Sequence, residues 1–311
     1  MAAIKTEGLT KDYRTGFFLK KIRVLENLNL EVEEKEIFGF LGPNGAGKTT
    51  TLKLLMGLIY PSSGKAWIFN KEINDISAKK EIGFLPEGPY FYDYLTGSEF
   101  LNFYGGLFSI EKKRLRVKVE ELLETVGLGE AGKLQLRRYS KGMLQRIGIA
   151  QSLINDPKLV ILDEPMSGLD PIGRKEIRDL IIRLKDAGKT IFFSSHILSD
   201  VEMICDRVAI LVKGMLIDTV SVNDLLKEEG GTIEICVSDF ERSALERIRE
   251  FNKKIINRGE RIYITAGSES EKDEILKIIF ERKGKLISVT PQKKSLEALF
   301  FKGMDKGKGK G

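Results

Sequence analysis

Short apolar runs recur along the first two thirds of the chain and alternate with segments of helical periodicity. Ile37–Leu41 is apolar throughout, and similar runs lie within residues 158 to 165 and 190 to 193. Runs of this length are typical of strands that are buried on both faces, as in a parallel sheet. We therefore predict strands at these three positions, within an α/β core.

Two segments carry apolar residues at the spacing of an amphipathic helix. The first covers residues 111 to 126, and the second runs from Pro171, a residue suited to a first helical turn, to a stop at Gly188. Strands therefore alternate with helices through residues 155 to 215, which predicts a largely parallel sheet. The stripe of the first helix is expected to be core packing; its members are Leu115, Val119, Leu122, Leu123 and Val126.

The pattern changes after the Gly230-Gly231 pair, which marks a predicted domain boundary. Residues 231 to 301 follow the order βαββαβ, which is the ferredoxin-like arrangement. The predicted strands are residues 232 to 237, 254 to 257, 261 to 265 and 286 to 290, and the predicted helices are residues 240 to 251 and 269 to 282. This domain has no His/Cys cluster and no phosphate-binding loop, which favours a structural or regulatory role. Residues 302 to 311, rich in Gly and Lys, predict a flexible tail.

Composition places the chain among soluble globular proteins. Its 311 residues are 42% hydrophobic and 31% charged. No apolar run approaches the roughly 18 residues of a membrane-spanning helix, and the N-terminus carries no apolar signal region, so we expect a cytoplasmic protein. The net charge of +6 is spread among 45 acidic residues, and no nucleic-acid partner is expected. Cys205 and Cys236 lack metal-binding spacing, which favours reduced core thiols.

Residues 42 to 49 read Gly-Pro-Asn-Gly-Ala-Gly-Lys-Thr and match the phosphate-binding loop pattern GxxxxGK[ST] in full. The loop follows a predicted strand and precedes a helix-forming run, which is the order that the motif requires. Glycines let successive backbone N–H groups turn toward phosphate oxygens, and the dipole of the next helix faces the anion. Lys48 adds a positive charge, and Thr49 is expected to place its hydroxyl on a magnesium ion. The motif predicts a nucleoside triphosphate ligand.

A second candidate element ends in two acidic residues. The run of residues 158 to 165 delivers Asp163 and Glu164 at the C-terminal edge of a predicted strand. Successive strand residues point to opposite sides, so the two carboxylates have different surroundings. We expect Asp163 to hold the magnesium shell and Glu164 to polarise the water that attacks the γ-phosphate. Alone, such a pair fits a turn as well as a site; beside the phosphate loop it favours a site.

The segment Tyr139-Ser140-Lys141-Gly142-Met143 resembles the Leu-Ser-Gly-Gly-Gln signature of ABC transporter nucleotide-binding subunits. In that family the signature contacts the γ-phosphate of ATP held by the opposite subunit. Ser140 and Gly142 match it, whereas Lys141 and Met143 depart from it and put the glutamine contact in doubt. A capped helix start explains the same segment, and the two interpretations are compatible.

The resemblance covers roughly residues 1 to 220 and implies a fold. It is a P-loop NTPase core, with a RecA-like sheet, an antiparallel β subdomain and a helical subdomain at about residues 88 to 140, within a cassette of residues 1 to 222. The C-terminal domain of residues 231 to 301 follows as an accessory unit. Its ending, residues 295 to 300, resembles the C-terminal segment of bacterial drug-export ABC subunits.

Four further positions match the family pattern one at a time. Tyr13 resembles the aromatic residue that stacks on adenine, and His196, the only histidine, resembles the residue that hydrogen-bonds the γ-phosphate. Asp170 ends the segment Ser167-Gly168-Leu169-Asp170, which resembles the loop by which each subunit reaches the other's site. Glu87 stands where the family usually has a glutamine that senses magnesium and the attacking water. Glutamate can also coordinate a hard cation.

The predicted site thus combines residues from several parts of the cassette. The catalytic candidates are Lys48, Glu164 and His196, and the metal candidates are Thr49, Glu87 and Asp163. The predicted ATP contacts are Tyr13, Gly42, Pro43, Asn44, Gly45, Ala46, Gly47, Lys48, Thr49, Thr50, Glu87, Ser140, Gly142 and Asp170.

The resemblance implies the ATP-binding subunit of an ABC transporter, most like bacterial multidrug and export-type ATPases. Such a subunit binds ATP and Mg²⁺, closes head to tail with a second copy or a related subunit, and hydrolyses ATP to drive translocation through separate transmembrane permease subunits. It is peripheral on the inner face of the cell membrane, and export is the favoured direction. The aromatic segment of residues 89 to 94 fits either core packing or contact with that partner.

Two alternatives to transport stay open at this point. The first is a non-transport ABC ATPase that acts on nucleic acid or the ribosome. Such relatives usually carry two cassettes or a long coiled-coil insertion, and this chain has one cassette and neither addition. The second is an ATP-dependent regulatory module that acts through the C-terminal domain.

Overall fold

The computed structural model describes residues 1–15, 20–227, 233–239, 242–251, 255–259, 261–291, 296–297 and 299–300. Two compact units result, Met1–Val222 and Asn223–Phe301. The Gly230-Gly231 pair and the tail of residues 302 to 311 lie outside the described residues. Within the described ranges, none of the helices combines the length and the hydropathy that a bilayer crossing requires.

Strands and helices alternate through the first unit. The strands are β1 (Ala2–Thr15), β2 (Lys20–Glu33), β3 (Ile37–Leu41), β4 (Ser63–Ile68), β5 (Lys71–Glu72), β6 (Ile82–Leu85), β7 (Leu159–Leu162), β8 (Thr190–Ser195), β9 (Arg207–Val212) and β10 (Met215–Ser221). The helices are α1 (Lys48–Leu55), α2 (Ile76–Lys79), α3 (Gly97–Leu107), α4 (Lys112–Thr125), α5 (Lys141–Ser152), α6 (Pro171–Asp186) and α7 (Leu198–Ile204). Helix α8 (Val222–Lys227) begins at the last residue of this unit and continues in the second unit.

The central sheet has the strand order β10-β9-β3-β8-β7-β6, and its neighbours are parallel except for the antiparallel pair of β9 and β10. Strands β3, β7 and β8 are buried along their whole length, as their apolar runs predicted. Phe192 of β8 packs against Phe38 and Phe40 of β3, with ring centroids 5.7 and 5.5 Å apart. The parallel α/β core is therefore confirmed.

A second sheet of antiparallel strands has the order β2-β1-β4-β5. Its buried positions share one hydrophobic core with the central sheet and with α1, because Leu25 of β2, Leu52 of α1 and Phe40 of β3 belong to the same cluster. Helix α1 directly follows the phosphate-binding loop. The loop is therefore anchored at both ends in the core of this unit.

Helices α3, α4 and α5 and two short 3₁₀ turns, Glu130–Lys133 and Leu136–Arg138, occupy the stretch between β6 and β7. Helix α4 confirms the prediction for residues 111 to 126, and the predicted apolar stripe is buried. Helix α3 begins with a capping box, in which the Thr96 hydroxyl and the Glu99 carboxylate each accept from the other residue's backbone N–H. This defines the start of the helical region.

The second unit has the strand and helix order predicted from its sequence. Its elements are β11 (Ile233–Ser238), α9 (Arg242–Phe251), β12 (Ile255–Arg258), β13 (Arg261–Ala266), α10 (Glu269–Glu281) and β14 (Lys285–Pro291). The sheet order β12-β13-β11-β14, with antiparallel neighbours throughout, is the ferredoxin-like topology. Its core joins alternate residues of β11 and β13 to one face of α10. Cys205 of the first unit and Cys236 of the second are both buried.

Replacement of Phe192 by Ala should destabilise the first unit strongly. The ring is fully buried and contacts two further aromatic rings, so its loss removes buried apolar area and leaves a cavity. Urea unfolding should show a loss of about 3–5 kcal/mol. Tyr90→Ala, at a side chain that is 84% exposed, is the matched control and should change stability little. An equal effect of both substitutions would contradict this account of the core.

Candidate active site

The phosphate-binding loop joins the C-terminal end of β3 to the N-terminus of α1. Gly45 and Gly47 have φ values of 77° and 106°, in the left-handed region that favours glycine. A Cβ on Gly47 would lie 2.8 Å from the backbone oxygen of Val24, so space as well as conformation requires glycine there. The backbone turned in this way opens toward a cavity. This is the form that the sequence motif predicted.

Lys48 begins α1, and its side chain folds back over the loop. Its ammonium donates to the backbone oxygens of Gly42 at 2.8 Å and Pro43 at 3.3 Å. The same nitrogen lies 3.1 Å from Oε1 of Glu164, and both side chains are more than nine-tenths buried. A buried charge needs a partner, and these two groups supply one to each other.

Glu164 lies two residues after the end of β7, and its backbone is left-handed, with φ of 50°. Non-glycine residues take this conformation rarely, and it costs conformational energy that the surroundings must offset. Its Oε2 lies 2.8 Å from Nδ1 of His196, while Oε1 faces Lys48. The carboxylate is therefore held from two sides, by groups that come from α1 and from the end of β8.

Ser194 connects the two acidic residues, and no sequence motif pointed to it. Its hydroxyl donates to Oδ1 of Asp163 at 2.6 Å and accepts from the backbone N–H of Glu164 at 2.9 Å. The contact exists because β7 and β8 pair in parallel, which no local motif reveals. The only signal was a polar pair, Ser194-Ser195, between an apolar run and His196.

Asp163 is buried and is not part of the lining of the cavity over the loop. Burial raises the pKa of its carboxyl above the usual value, against the lowering effect of hydrogen bonds from Ser194 and Thr49. The Thr49 hydroxyl and the Asp163 carboxylate thus already lie together. They are hard oxygen donors of the kind that Mg²⁺ prefers, and a bound cation would remove the penalty on the ionised acid. The residues present fit the predicted magnesium.

A cavity of about 250 Å³ lies over the loop. It contains most of the predicted loop residues together with both glutamates, and it adds Val24, a residue that no motif pointed to. Its lining consists of Val24, Asn44, Gly45, Gly47, Lys48, Thr49, Thr50, Glu87 and Glu164. Glu87 and Glu164 also line a neighbouring cavity of about 330 Å³, which includes Lys141. The carboxylates of Glu87 and Glu164 can therefore both contact a ligand that is bound over the loop.

The predicted signature residues are not part of the lining of the 250 Å³ cavity in the described chain. Ser140 is exposed and caps α5, because its Oγ accepts from the backbone N–H of Met143 at 3.2 Å. A Cβ added to Gly142 would meet no atom within 4 Å, so open space surrounds it. The predicted helix cap is confirmed by this geometry. The Lys141 ammonium extends over Gly168, where an added Cβ would come within 2.0 Å of it.

Five other predicted contacts are also absent from that lining: the loop residues Gly42, Pro43 and Ala46, together with Tyr13 and Asp170. The Oδ1 of Asp170 accepts from the backbone N–H of Gly173 at 2.9 Å and caps α6. Tyr13 lies on β1, with the Lys11 ammonium 5.1 Å from its ring centroid, so the ring already contacts a cation. His196 does not line the cavity, and its contact with the site is the one between its Nδ1 and the Glu164 carboxylate. Roles in nucleotide binding for Tyr13, Ser140, Gly142 and Asp170 stay predictions.

A phosphate-binding loop that meets two carboxylates and a histidine at the C-terminal edge of a parallel sheet defines a P-loop nucleoside triphosphate hydrolase. Comparison with known proteins narrows this class. The family model described as ABC transporter matches residues 25–167. The dimeric, post-hydrolysis structure of the ATP-binding cassette MJ0796 bound to ADP and Pi superposes with a TM-score of 0.64 and 26% identity, over 70% of this chain and 98% of that one.

Another solved structure, cbiO1 from Clostridium perfringens, part of the ABC transporter complex cbiONQ, superposes with a TM-score of 0.65 and 27% identity, over 73% of this chain and 92% of that one. The bacitracin transport ATP-binding protein BcrA of Bacillus licheniformis is 38% identical over 308 residues, 96% of each chain. An ABC transporter ATP-binding protein of Nostoc sp. (strain PCC 7120) is 55% identical over 228 residues, 72% of this chain and 68% of the relative.

This chain therefore belongs to the ABC transporter family. It is an ATP-binding subunit and an ATPase. The fold class inferred from the sequence is confirmed.

Replacement of Glu164 by Gln should abolish most hydrolysis without loss of ATP binding. The amide cannot accept a proton from water, and Lys48 stays available for phosphate. Steady-state phosphate release should fall by about a hundredfold to ten-thousandfold, while binding of a fluorescent ATP analogue should persist. Glu202→Gln, at an exposed position of α7, is the matched control. Full activity of Glu164→Gln would show that this carboxylate is not the base.

Replacement of Asp163 by Asn should stabilise the metal-free protein at neutral pH. Burial raises the pKa of the folded-state carboxyl above its unfolded value, so the ionised form costs stability above that pKa. The gain should shrink as pH is lowered, because the carboxyl is then protonated in both states. The gain in the free energy of unfolding is measured by urea unfolding in the presence of a metal chelator and without nucleotide. Asp179→Asn, on the exposed face of α6, is the control. A loss of stability at neutral pH would contradict the argument.

Proposed function

We propose that this subunit hydrolyses Mg-ATP in a head-to-tail dimer and so drives export through separate transmembrane permease subunits. The observation that carries the proposal is the placement of Glu164 between Lys48 and His196 at the phosphate-binding loop, while Ser140 and Gly142 face open space. One set of groups is a nearly complete hydrolytic site. The other is a donor surface that needs a second site to act on.

Lys48 takes part in two successive pairings. In the structure its ammonium lies 3.1 Å from Oε1 of Glu164 and balances the charge of that carboxylate. When the β- and γ-phosphates of ATP enter the loop, the ammonium binds phosphate oxygens beside the loop amides. Glu164 is then separated from this cation, and its carboxylate can accept a hydrogen bond from the attacking water. Substrate binding thereby prepares the group that activates water.

Glu164 accepts the proton of the attacking water in this scheme. His196 contacts the carboxylate through Nδ1, and the doubly protonated imidazolium is the form that can also donate from its other ring nitrogen to a γ-phosphate oxygen. Phosphoryl transfer needs alignment and charge stabilisation above all, and Lys48, His196 and the loop amides provide both.

Thr49, Asp163 and Glu87 would hold the magnesium ion. The Thr49–Asp163 hydrogen bond supports this assignment for two of them, and Glu87 lines the same cavity. When bound, the ion neutralises charge on the β- and γ-phosphate oxygens. Ser194 keeps Asp163 oriented by its 2.6 Å hydrogen bond. Tyr13 is proposed to stack on adenine.

The second copy completes the site in this proposal. The N-terminus of α5, with the Ser140 hydroxyl and the amide of Gly142, presents hydrogen-bond donors and the positive end of a helix dipole. Loop 167–170, which ends at Asp170, extends toward the same partner. The dimeric structure of the cassette MJ0796 supports such an assembly. Its partner is either an identical chain or a related ABC subunit.

Contact with a membrane partner has a candidate surface. In the segment of residues 89 to 94, Phe91 packs against Phe100, whereas Tyr90 and Tyr94 are 84% and 62% exposed. Exposed aromatic side chains in a cluster are typical of an interaction surface. The placement of cbiO1 within the cbiONQ complex supports a transport assembly, with this chain peripheral on the cytoplasmic face of the membrane. We propose export as the direction of transport; similarity over 96% of each chain to BcrA, which is named for bacitracin transport, supports the transport role itself.

Two inactive variants should restore activity when they are mixed. Lys48→Ala inactivates the loop, and Ser140→Arg blocks the donor surface, so each homodimer has no intact site. A mixed dimer has one intact site, formed by Lys48 of one chain and Ser140 of the other. An equimolar mixture should therefore recover about a quarter of the wild-type rate per chain, since half of the dimers are mixed. Phosphate release measures the recovery.

A mixture of Lys48→Ala with Glu164→Gln is the control. Lys48 and Glu164 of one chain belong to the same site, so each chain of this mixed dimer damages the site that is built on its own loop. One site would then lack Lys48 and the other Glu164, so no recovery is expected. Absence of recovery in the first mixture, or a wild-type rate per chain that is independent of dilution, would exclude the head-to-tail dimer.

A further inference from the structure

Asp200 is a buried acid that the hydrolytic scheme does not use. It belongs to α7, the helix that starts two residues after His196, and its side chain is only 3% exposed. Arg178 of α6 donates to its Oδ1 at 2.9 Å. Its Oδ2 has no hydrogen-bond partner among the described residues. Burying half of a carboxylate without a partner is costly, so this group calls for a further explanation.

A second cation of α6, Arg174, approaches that oxygen. Its Nη1 lies 3.9 Å from Oδ2 of Asp200, which is an ion pair without a hydrogen bond. Its Nε donates to the backbone oxygen of Leu169 at 3.2 Å. One guanidinium therefore contacts both the helix that follows His196 and the loop that ends at Asp170. The planar, multi-donor group of arginine can serve two acceptors at once, which a lysine cannot do in the same way.

These contacts form a continuous path across the site. Glu164 binds His196, and the chain from His196 leads within four residues to Asp200. Asp200 attracts Arg174, and Arg174 holds the carbonyl of Leu169. Arg178 already joins α6 to α7 with a short ion pair, so Arg174 is not needed merely to fasten the two helices. Its additional contact is with the loop.

We propose that Arg174 is a positioning residue that fixes loop 167–170 relative to His196, with Asp200 as its anchor. The orientation of the loop and the alignment of His196 on Glu164 then depend on one another. Because loop 167–170 faces the second copy's ATP site, the pair Arg174 and Asp200 also joins one site to the next. This last part rests on the head-to-tail dimer proposed above; the link within one chain does not.

The first test is a double-mutant cycle at Arg174 and Asp200, in protein that is otherwise wild type. Arg174→Met should lower kcat for ATP by about tenfold and leave KM within about twofold, because alignment and not nucleotide affinity is lost. Asp200→Asn should have a similar effect, and the double variant should fall about as far as either single variant instead of about a hundredfold. Lys175→Met, an exposed neighbour of Arg174 on α6, should have no effect.

An unchanged kcat in Arg174→Met, or effects of the two changes that multiply, would overturn the link. Arg174 is partly exposed, at 31% of its side chain, so its Met variant is expected to fold even where Asp200→Asn is unstable. Urea unfolding of each variant identifies a simple loss of stability. A kcat loss that follows the loss of folded protein would count against a positioning role.

The second test places Arg174→Met in either chain of the mixed dimer of Lys48→Ala and Ser140→Arg. On the Lys48→Ala chain, Arg174→Met alters the loop 167–170 that faces the intact site. On the Ser140→Arg chain, it alters the chain that supplies His196 to the intact site. Both placements should lower the recovered rate. A fall confined to the Ser140→Arg chain would overturn the link between sites. If the unmodified mixture recovers nothing, the dimer proposal fails, and the double-mutant cycle alone still decides the link within one chain.

Discussion

The ion pair between Lys48 and Glu164 is the interaction on which the site depends. Both charges are withdrawn from water, so each needs a partner, and each supplies the other with the opposite charge. Their meeting requires a helix start with a left-handed glycine on one side and a left-handed Glu164 on the other. It also requires β3 and β7 to flank β8, which brings the loop and the acids to the same edge of the sheet.

The strand order explains why Ser194 and His196 complete this arrangement. β8 lies between β3 and β7, so residues at its C-terminal end reach both neighbours. Ser194 orients Asp163, and His196 approaches Glu164 from the side opposite to Lys48. An unusual backbone conformation at Glu164 is maintained because its N–H, both sides of its carboxylate and the preceding residue are all engaged.

The amino-acid sequence predicted the parts of this protein that local patterns encode. The apolar strand runs, the loop octet, the acid pair, the α4 stripe and the βαββαβ order each depend on residues that are close along the chain. Ser194, Val24 and the contacts of Arg174 depend on residues that are brought together by strand pairing and helix packing over long separations. Neither spacing nor composition carries that information. The sequence shows that Lys141 and Glu87 differ from the usual family residues. It does not show that the Lys141 ammonium lies over Gly168.

The hydroxyl of Ser140 illustrates how two demands can restrict natural variation at one position. As a helix cap it uses only an acceptor lone pair, and Asp, Asn or Thr would satisfy that need equally well. A hydroxyl still has its proton to donate while it caps, so it can also address a phosphate oxygen. An aspartate would preserve the helix and repel the anion. A substitution that keeps both the cap and the proposed phosphate contact must therefore introduce a capping residue without a negative charge.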